Sequence, residues 1–151
     1  MSFKDNINTW IFDLDNTLYS ADSGIFQQVH KLMGEFVAKN LNMELAEAKK
    51  LQAKYYKQHG TTLRGMMDNH GVDPDYFLEE VHKLDYSIVG PNQNLNDELY
   101  KLEGRKIIYT NANKQHVLDV LEKINLTNFF DEIYDIKTVS YTHLTLPTKA
   151  L

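Results

Sequence analysis

A short apolar run, Trp10-Ile11-Phe12, stands near the start of the chain and gives way to Asp13-Leu14-Asp15-Asn16-Thr17-Leu18. Three apolar residues closed by polar ones read as a short buried strand. The period then changes. From Ile25 to Ala38, apolar residues recur at Ile25, Phe26, Val29, Leu32, Met33, Phe36 and Val37, a helical stripe. A second stripe runs through Met43, Leu45, Ala46, Leu51, Ala53, Tyr55 and Tyr56, with Gly60 placed to close it. Shorter helices are predicted around Leu63–His70 and Pro74–Lys83, and a less regular one over Asn94–Leu102. The strand pattern returns after a turn at Gly104, in Lys106-Ile107-Ile108-Tyr109-Thr110-Asn111. A helix follows from Lys114 to Ile124, with Val117, Leu118, Val120 and Leu121 assigned to its buried side. Phe129 to Tyr134 then reads as another strand entry. Strand, helix, strand is a βαβ unit, so the fold class is α/β, with a long helical stretch between the first two strands.

The end of the first strand carries the chemistry. In an open α/β sheet, ligands bind beyond the carboxyl ends of the strands. Side chains two apart on extended backbone point the same way, so Asp13 and Asp15 can face one small space. Two carboxylates there suit a metal cation, or a nucleophile beside an acid/base. The plainer alternative is a helix N-cap. No apolar-periodic helix begins at once, and Leu18-Tyr19 keep the segment apolar, which favours the active-site reading.

Composition narrows the class. The 151 residues suffice for one domain with its own core, and 42% hydrophobic with 25% charged residues is ordinary for a globular protein. A net charge of −5 offers no general basic field for nucleic acid, and a phosphate site would need local cations. The absence of cysteine excludes disulfides and thiolate-bound zinc. No apolar stretch approaches a membrane span and the polar start is not a secretory signal, so a cytoplasmic enzyme is expected.

Asp-Leu-Asp-Asn-Thr-Leu-Tyr after an apolar strand resembles the first motif of the haloacid dehalogenase-like hydrolases. The resemblance implies that Asp13 is a nucleophile that takes a phosphoryl group. Asp15 is implied as general acid, then base, and Thr17 as a support of the loop. Mg²⁺ would be held by the Asp13 carboxylate and the Asp15 main-chain carbonyl. Asp15 argues for phosphate chemistry, because dehalogenases of the superfamily lack the second aspartate. Thr110, ending the second strand, matches the second motif, whose hydroxyl binds phosphoryl oxygens with help from the backbone at Asn111. The implied architecture is an incomplete Rossmann-like parallel core, residues 1–19 and 97–141, with a helical cap over 20–96. Asn16, Tyr19, the segment 56–66 and Thr110-Asn111 together resemble the pyrimidine 5′-nucleotidase branch. In that reading the substrate is a small phosphorylated molecule, a nucleoside monophosphate, with neither nucleic acid nor membrane as partner. Thr61, Thr62 and Arg64 are candidates for substrate specificity, weighed against a helix–helix turn in which a threonine caps and Arg64 is solvated. His116 opens the helix after Thr110, a place from which it can lie near the site, but the preferred reading is an exposed first-turn residue.

The family pattern is not complete. Neither the lysine motif expected soon after Tyr134-Asp135-Ile136 nor the acidic motif that completes the Mg²⁺ site is found, and Lys149 has no such context. Residues 142–151 resemble translated sequencing adapter and are expected to be non-native. The chain as given is therefore expected to be inactive, with its first strand left as a sheet edge open to association. Two rivals stay open: a phosphatase of another small ester, such as a sugar phosphate or phosphoglycolate, and a non-catalytic fragment.

Overall fold

The computed structural model describes residues 7–141. The expected foreign segment 142–151, with Lys149, lies outside the described residues. Among those described, the elements run β1 (Thr9–Phe12), α1 (Ile25–Leu41), α2 (Leu45–His59), α3 (Thr62–His70), α4 (Pro74–Val81), α5 (Gln93–Tyr100), β2 (Arg105–Tyr109), α6 (Lys114–Lys123), β3 (Glu132–Tyr134) and α7 (Ile136–Tyr141). The protein is α/β, with a parallel three-stranded sheet ordered β1-β2-β3. It divides into two compact units. One comprises the chain up to Asp22 and from Val89 onward; the other is Ser23–Ile88. These boundaries put α5 with the sheet unit, whereas the sequence reading ends the helical cap at residue 96.

In the sheet unit, β1 pairs with β2 from Thr9↔Arg105 to Phe12↔Ile108, and β2 with β3 from Ile107↔Glu132 to Tyr109↔Tyr134. Gly104 makes the entry to β2 possible. It sits at φ +98°, and a Cβ there would lie 2.6 Å from the Asn8 carbonyl oxygen, which accepts the Arg105 N–H. Ile107 and Ile108 are buried, as are Val117, Val120, Leu121 and Ile124 of and just after α6. Leu118, expected on the buried side, is 36% exposed, and His116 is fully buried in its stead. The true stripe is 116, 117, 120, 121 and 124, a regular helical spacing in which histidine takes a core position. β1 is an edge of the described sheet, and Ile11 is 67% exposed.

In the helical unit, α1 packs on α2 and α4, and α2 on α3. Its interior includes Ile25, Val29, Val37, Met66, Phe77 and Val81. Phe36 meets Phe77 edge-on, with ring centroids 4.9 Å apart. The helix ends are written in local chemistry. Thr61 and Asp73 accept N–H groups at the starts of α3 and α4, Pro74 opens α4, and Gly60 and Gly71 close α2 and α3 in the left-handed region. At Gly65, α3 lies close against α2: a Cβ added there would lie 2.3 Å from Cγ of buried Tyr55. Gly65→Ala is expected to destabilise the unit by about 1–3 kcal/mol through overpacking, read as a lower urea midpoint. A midpoint equal to wild type would show that Tyr55 yields without cost.

Candidate active site

Parallel pairing brings the carboxyl ends of β1 and β2 to the same end of the sheet. Asp13 follows β1 directly, and Thr110 follows β2. The loop after β1 is a tight helical turn, in which Leu14 O accepts the N–H groups of Thr17 and Leu18 at 3.1 and 3.0 Å. Asn16 lies at its apex with φ +58°. Asparagine is one of the few side chains that enter this left-handed region readily, which accounts physically for an asparagine at this apex.

The two aspartates sit differently. Asp13 opens to solvent, and its Oδ1 accepts the Leu14 N–H at 2.8 Å. Desolvation by the surrounding protein nonetheless raises its carboxyl above the usual range. The Leu14 hydrogen bond works the other way, and the charge of Asp15 adds to the rise. The two carboxylates therefore feel each other, as their spacing implied. The Asp15 side chain is only 17% exposed. Its Oδ1 accepts from the Tyr19 hydroxyl and lies 2.8 Å from His116 Nε2. Tyr19 is buried; burial, the charge of Asp15 and the hydrogen bond to it hold its hydroxyl far above the usual tyrosine range, so it remains a donor.

Thr110 is buried, with its N–H donated to Tyr134 O at 3.0 Å. Its Oγ1 accepts the Ala112 N–H at 3.2 Å, which uses a lone pair and leaves the O–H as a donor. Asn111 is exposed beside it. Thr17 is exposed, and its hold on the first loop is through its backbone N–H. The second loop is tied to β3. Asp135 accepts the Lys114 N–H at 3.1 Å and both the N–H and hydroxyl of Thr138, while Ala112 O accepts the Ile136 N–H. Burial disfavours the Asp135 charge, but these hydrogen bonds and nearby Lys137 outweigh it and hold the carboxyl below its usual range.

Asp13, Asp15, Thr17, Thr110 and Asn111 thus share one end of the sheet unit. Thr61, Thr62 and Arg64 belong to the helical unit, where each has a local task. Thr61 caps α3 by accepting the Arg64 N–H, Thr62 is buried with its hydroxyl 3.5 Å from Gln52 O, and the Arg64 guanidinium pairs with Asp68 at 3.0 Å. Sequence reasoning does not single out Asp135, and it holds His116 near the site only as the less favoured reading, from its place at the start of the helix after Thr110; its place in the α6 stripe is a second signal.

A profile of the family described as haloacid dehalogenase-like hydrolase matches residues 10–147. The chain belongs to the haloacid dehalogenase-like hydrolase family. As a member it is similar to phosphate metabolism protein 8 of Saccharomyces cerevisiae, 25% identical over 136 residues that cover 82% of this chain and 42% of the yeast protein. It also overlays a solved HAD-hydrolase, YfnB from Bacillus subtilis bound to magnesium, with TM-score 0.48 and 15% identity, covering 88% of this chain and 65% of that one. The chain thus spans under half of the yeast relative and about two thirds of the bacterial one. Among its described residues no helix is long and apolar enough to cross a membrane.

The conformation of Asn16 generates a prediction for this family member. Asn16→Gly should leave stability within a few tenths of a kcal/mol, while Asn16→Val, forced to φ +58°, should cost about 1–2 kcal/mol. Urea unfolding of the two variants checks this, and equal midpoints would mean the turn relaxes to another conformation.

Proposed function

We propose that this protein is a Mg²⁺-dependent phosphomonoester hydrolase working through an aspartyl-phosphate on Asp13, with pyrimidine nucleoside 5′-monophosphates as substrates, in the cytoplasm. The observation that carries the reading is the pair of unlike carboxylates at one strand end: Asp13 open to solvent, Asp15 with its Oδ1 held by Tyr19 and His116. An open carboxylate suits attack on phosphorus. A withdrawn, anchored one suits proton transfer. The yeast relative's name, phosphate metabolism protein 8, supports phosphate chemistry.

The residues present suit a hard cation in part. Mg²⁺ is commonly bound by one or two carboxylates plus substrate phosphate and several waters. Asp13 supplies a carboxylate whose raised pKa a cation would relieve. With the Asp15 carboxyl engaged by Tyr19 and His116, the residue's main-chain carbonyl is its natural donor. No group of three or more His, Cys, Asp or Glu able to hold a metal occurs among the described residues, so these two oxygens are the contribution they make. Bound there, Mg²⁺ would neutralise phosphate charge.

In the reaction, the Asp13 carboxylate attacks phosphorus as the ester P–O bond breaks, and Asp15 gives its proton to the leaving oxygen. Thr110 O–H and the backbone at Asn111 hold phosphoryl oxygens. Asp15, now a carboxylate, takes a proton from the water that attacks the acyl phosphate, and the phosphate departs with Asp13 restored. Asp13→Asn in the full-length gene product should abolish both turnover and Mg²⁺-dependent phosphoenzyme, trapped by rapid quench, with the circular dichroism spectrum unchanged. Asp15→Asn should lose turnover by about 10²–10⁴-fold. Normal turnover in Asp13→Asn would refute the nucleophile assignment.

A second reading, hydrolysis of another small phosphomonoester, draws on the local tasks of Thr61 and Thr62, which leave Arg64 as the exposed member of the proposed specificity cluster. Under the nucleotidase reading, Arg64→Ala should raise KM for a pyrimidine nucleotide about tenfold, the worth of one charge-assisted hydrogen bond, and leave a small aryl phosphate unaffected. Equal effects on both substrates would favour the second reading.

A further inference from the structure

The position on α6 that carries His116 is a core position. Its neighbours in the stripe are Val117, Val120, Leu121 and Ile124, all fully or almost fully buried. A leucine or valine would fill such a place without the cost of burying an imidazole, which must find hydrogen-bond partners. His116 spends one ring nitrogen on Asp15: Nε2 lies 2.8 Å from Oδ1. The Tyr19 hydroxyl is donated to the same Oδ1. Oδ1 is the acceptor here whether or not Oδ2 bears the acid proton, so Nε2 is assigned as the donor in this contact.

Two donors on one oxygen make the carboxyl oxygens unequal. Rotation about the last bond of an aspartate is broad and nearly two-fold, so an unheld carboxyl exchanges its oxygens freely. Here Oδ1 is anchored from two sides, by the turn after β1 and by the start of α6. The backbone of that start is itself set, because Asn113 Oδ1 accepts the His116 N–H at 2.8 Å. We propose that His116 is a positioning residue: with Tyr19 it fastens Oδ1 of Asp15, fixes the carboxyl's orientation and assigns proton transfer with the leaving oxygen and the attacking water to Oδ2. This rests on the reading of Asp15 as acid and base. Proton transfer needs heavy atoms within about 2.6–3.2 Å, and a carboxyl left to turn spends much of its time outside that range.

Two measurements test this. The first does not need activity. In the ¹⁵N-labelled 151-residue chain, imidazole signals of His116 are identified by their loss in His116→Gln. A directly bonded proton at Nε2 is expected, with its shift moved by Asp15→Asn and by Tyr19→Phe. A bare Nε2, or signals indifferent to Asp15→Asn, would overturn the anchoring. The second uses rapid-quench formation of phosphoenzyme in the full-length gene product. An alkyl phosphate needs its leaving oxygen protonated, whereas p-nitrophenyl phosphate leaves as a stable anion. His116→Ala should slow phosphorylation by the alkyl ester about tenfold to a hundredfold, part of the usual worth of general acid catalysis, with KM unchanged and the nitrophenyl ester little affected. His116→Gln, which keeps an N–H donor, should recover most of the loss. Equal slowing of both esters, or no recovery in His116→Gln, would show His116 to be packing alone. A wild-type enzyme that forms no phosphoenzyme would overturn the phosphatase reading, and the role of His116 with it. A phosphoenzyme whose formation ignores His116 overturns only the latter.

Discussion

The site depends on the parallel pairing of β1 with β2. Parallel neighbours cannot be joined by a tight turn, because the chain must return to the starting end before the second strand can begin. The connection is therefore long, and here it contains the compact helical unit Ser23–Ile88. The same geometry sends both strands out at one end of the sheet. Asp13 and Thr110, far apart in the chain, become neighbours in the register, one step past Phe12↔Ile108 and two. Without that register, the acidic turn and the hydroxyl-bearing loop have no reason to meet.

Both loops at this end are fastened to neighbouring elements. The turn after β1 closes on Leu14 O and is pinned to α6 through Asp15 and His116. The loop after β2 is pinned to β3 through Asp135 and the pairing of Ala112 O with Ile136 N–H. Each fastening uses a buried or half-buried polar side chain with named partners. Such groups are costly to bury alone and stiffen a structure when satisfied. Such fastenings limit how far either loop can move, which suits the proposed phosphoryl transfer, where oxygens and protons must be held in place.

The helical unit obeys a separate logic. Its helices are stopped and started by local residues: Thr61 and Asp73 as caps, Gly60 and Gly71 as stops. Two candidates for substrate recognition also have tasks in this architecture, Thr61 as a cap and Thr62 in the interior. Arg64, paired with Asp68 on the surface, keeps a charge that solvent and a ligand can both reach.

The order of strands and helices, the break at Asp13 and the family motif are all legible along the chain. They depend on periodicities of two and 3.6, on glycine and proline, and on residues close in sequence. The predicted helices fall within a few residues of α1 to α6, and the strand entry at Phe129 narrows to Glu132–Tyr134 because only those residues pair with β2. Helix α7 is invisible in the sequence, since no periodicity marks it. His116 reads as a surface residue and lies in the core, 101 residues from the aspartate it holds. Whether a histidine at the start of a helix is solvated or buried depends on what the helix packs against, and that is set by strand order and register. The choice of which carboxylate stays open and which is anchored is likewise a property of the folded strand ends: the motif distinguishes the two aspartates by their order, but segments remote in sequence decide what surrounds each.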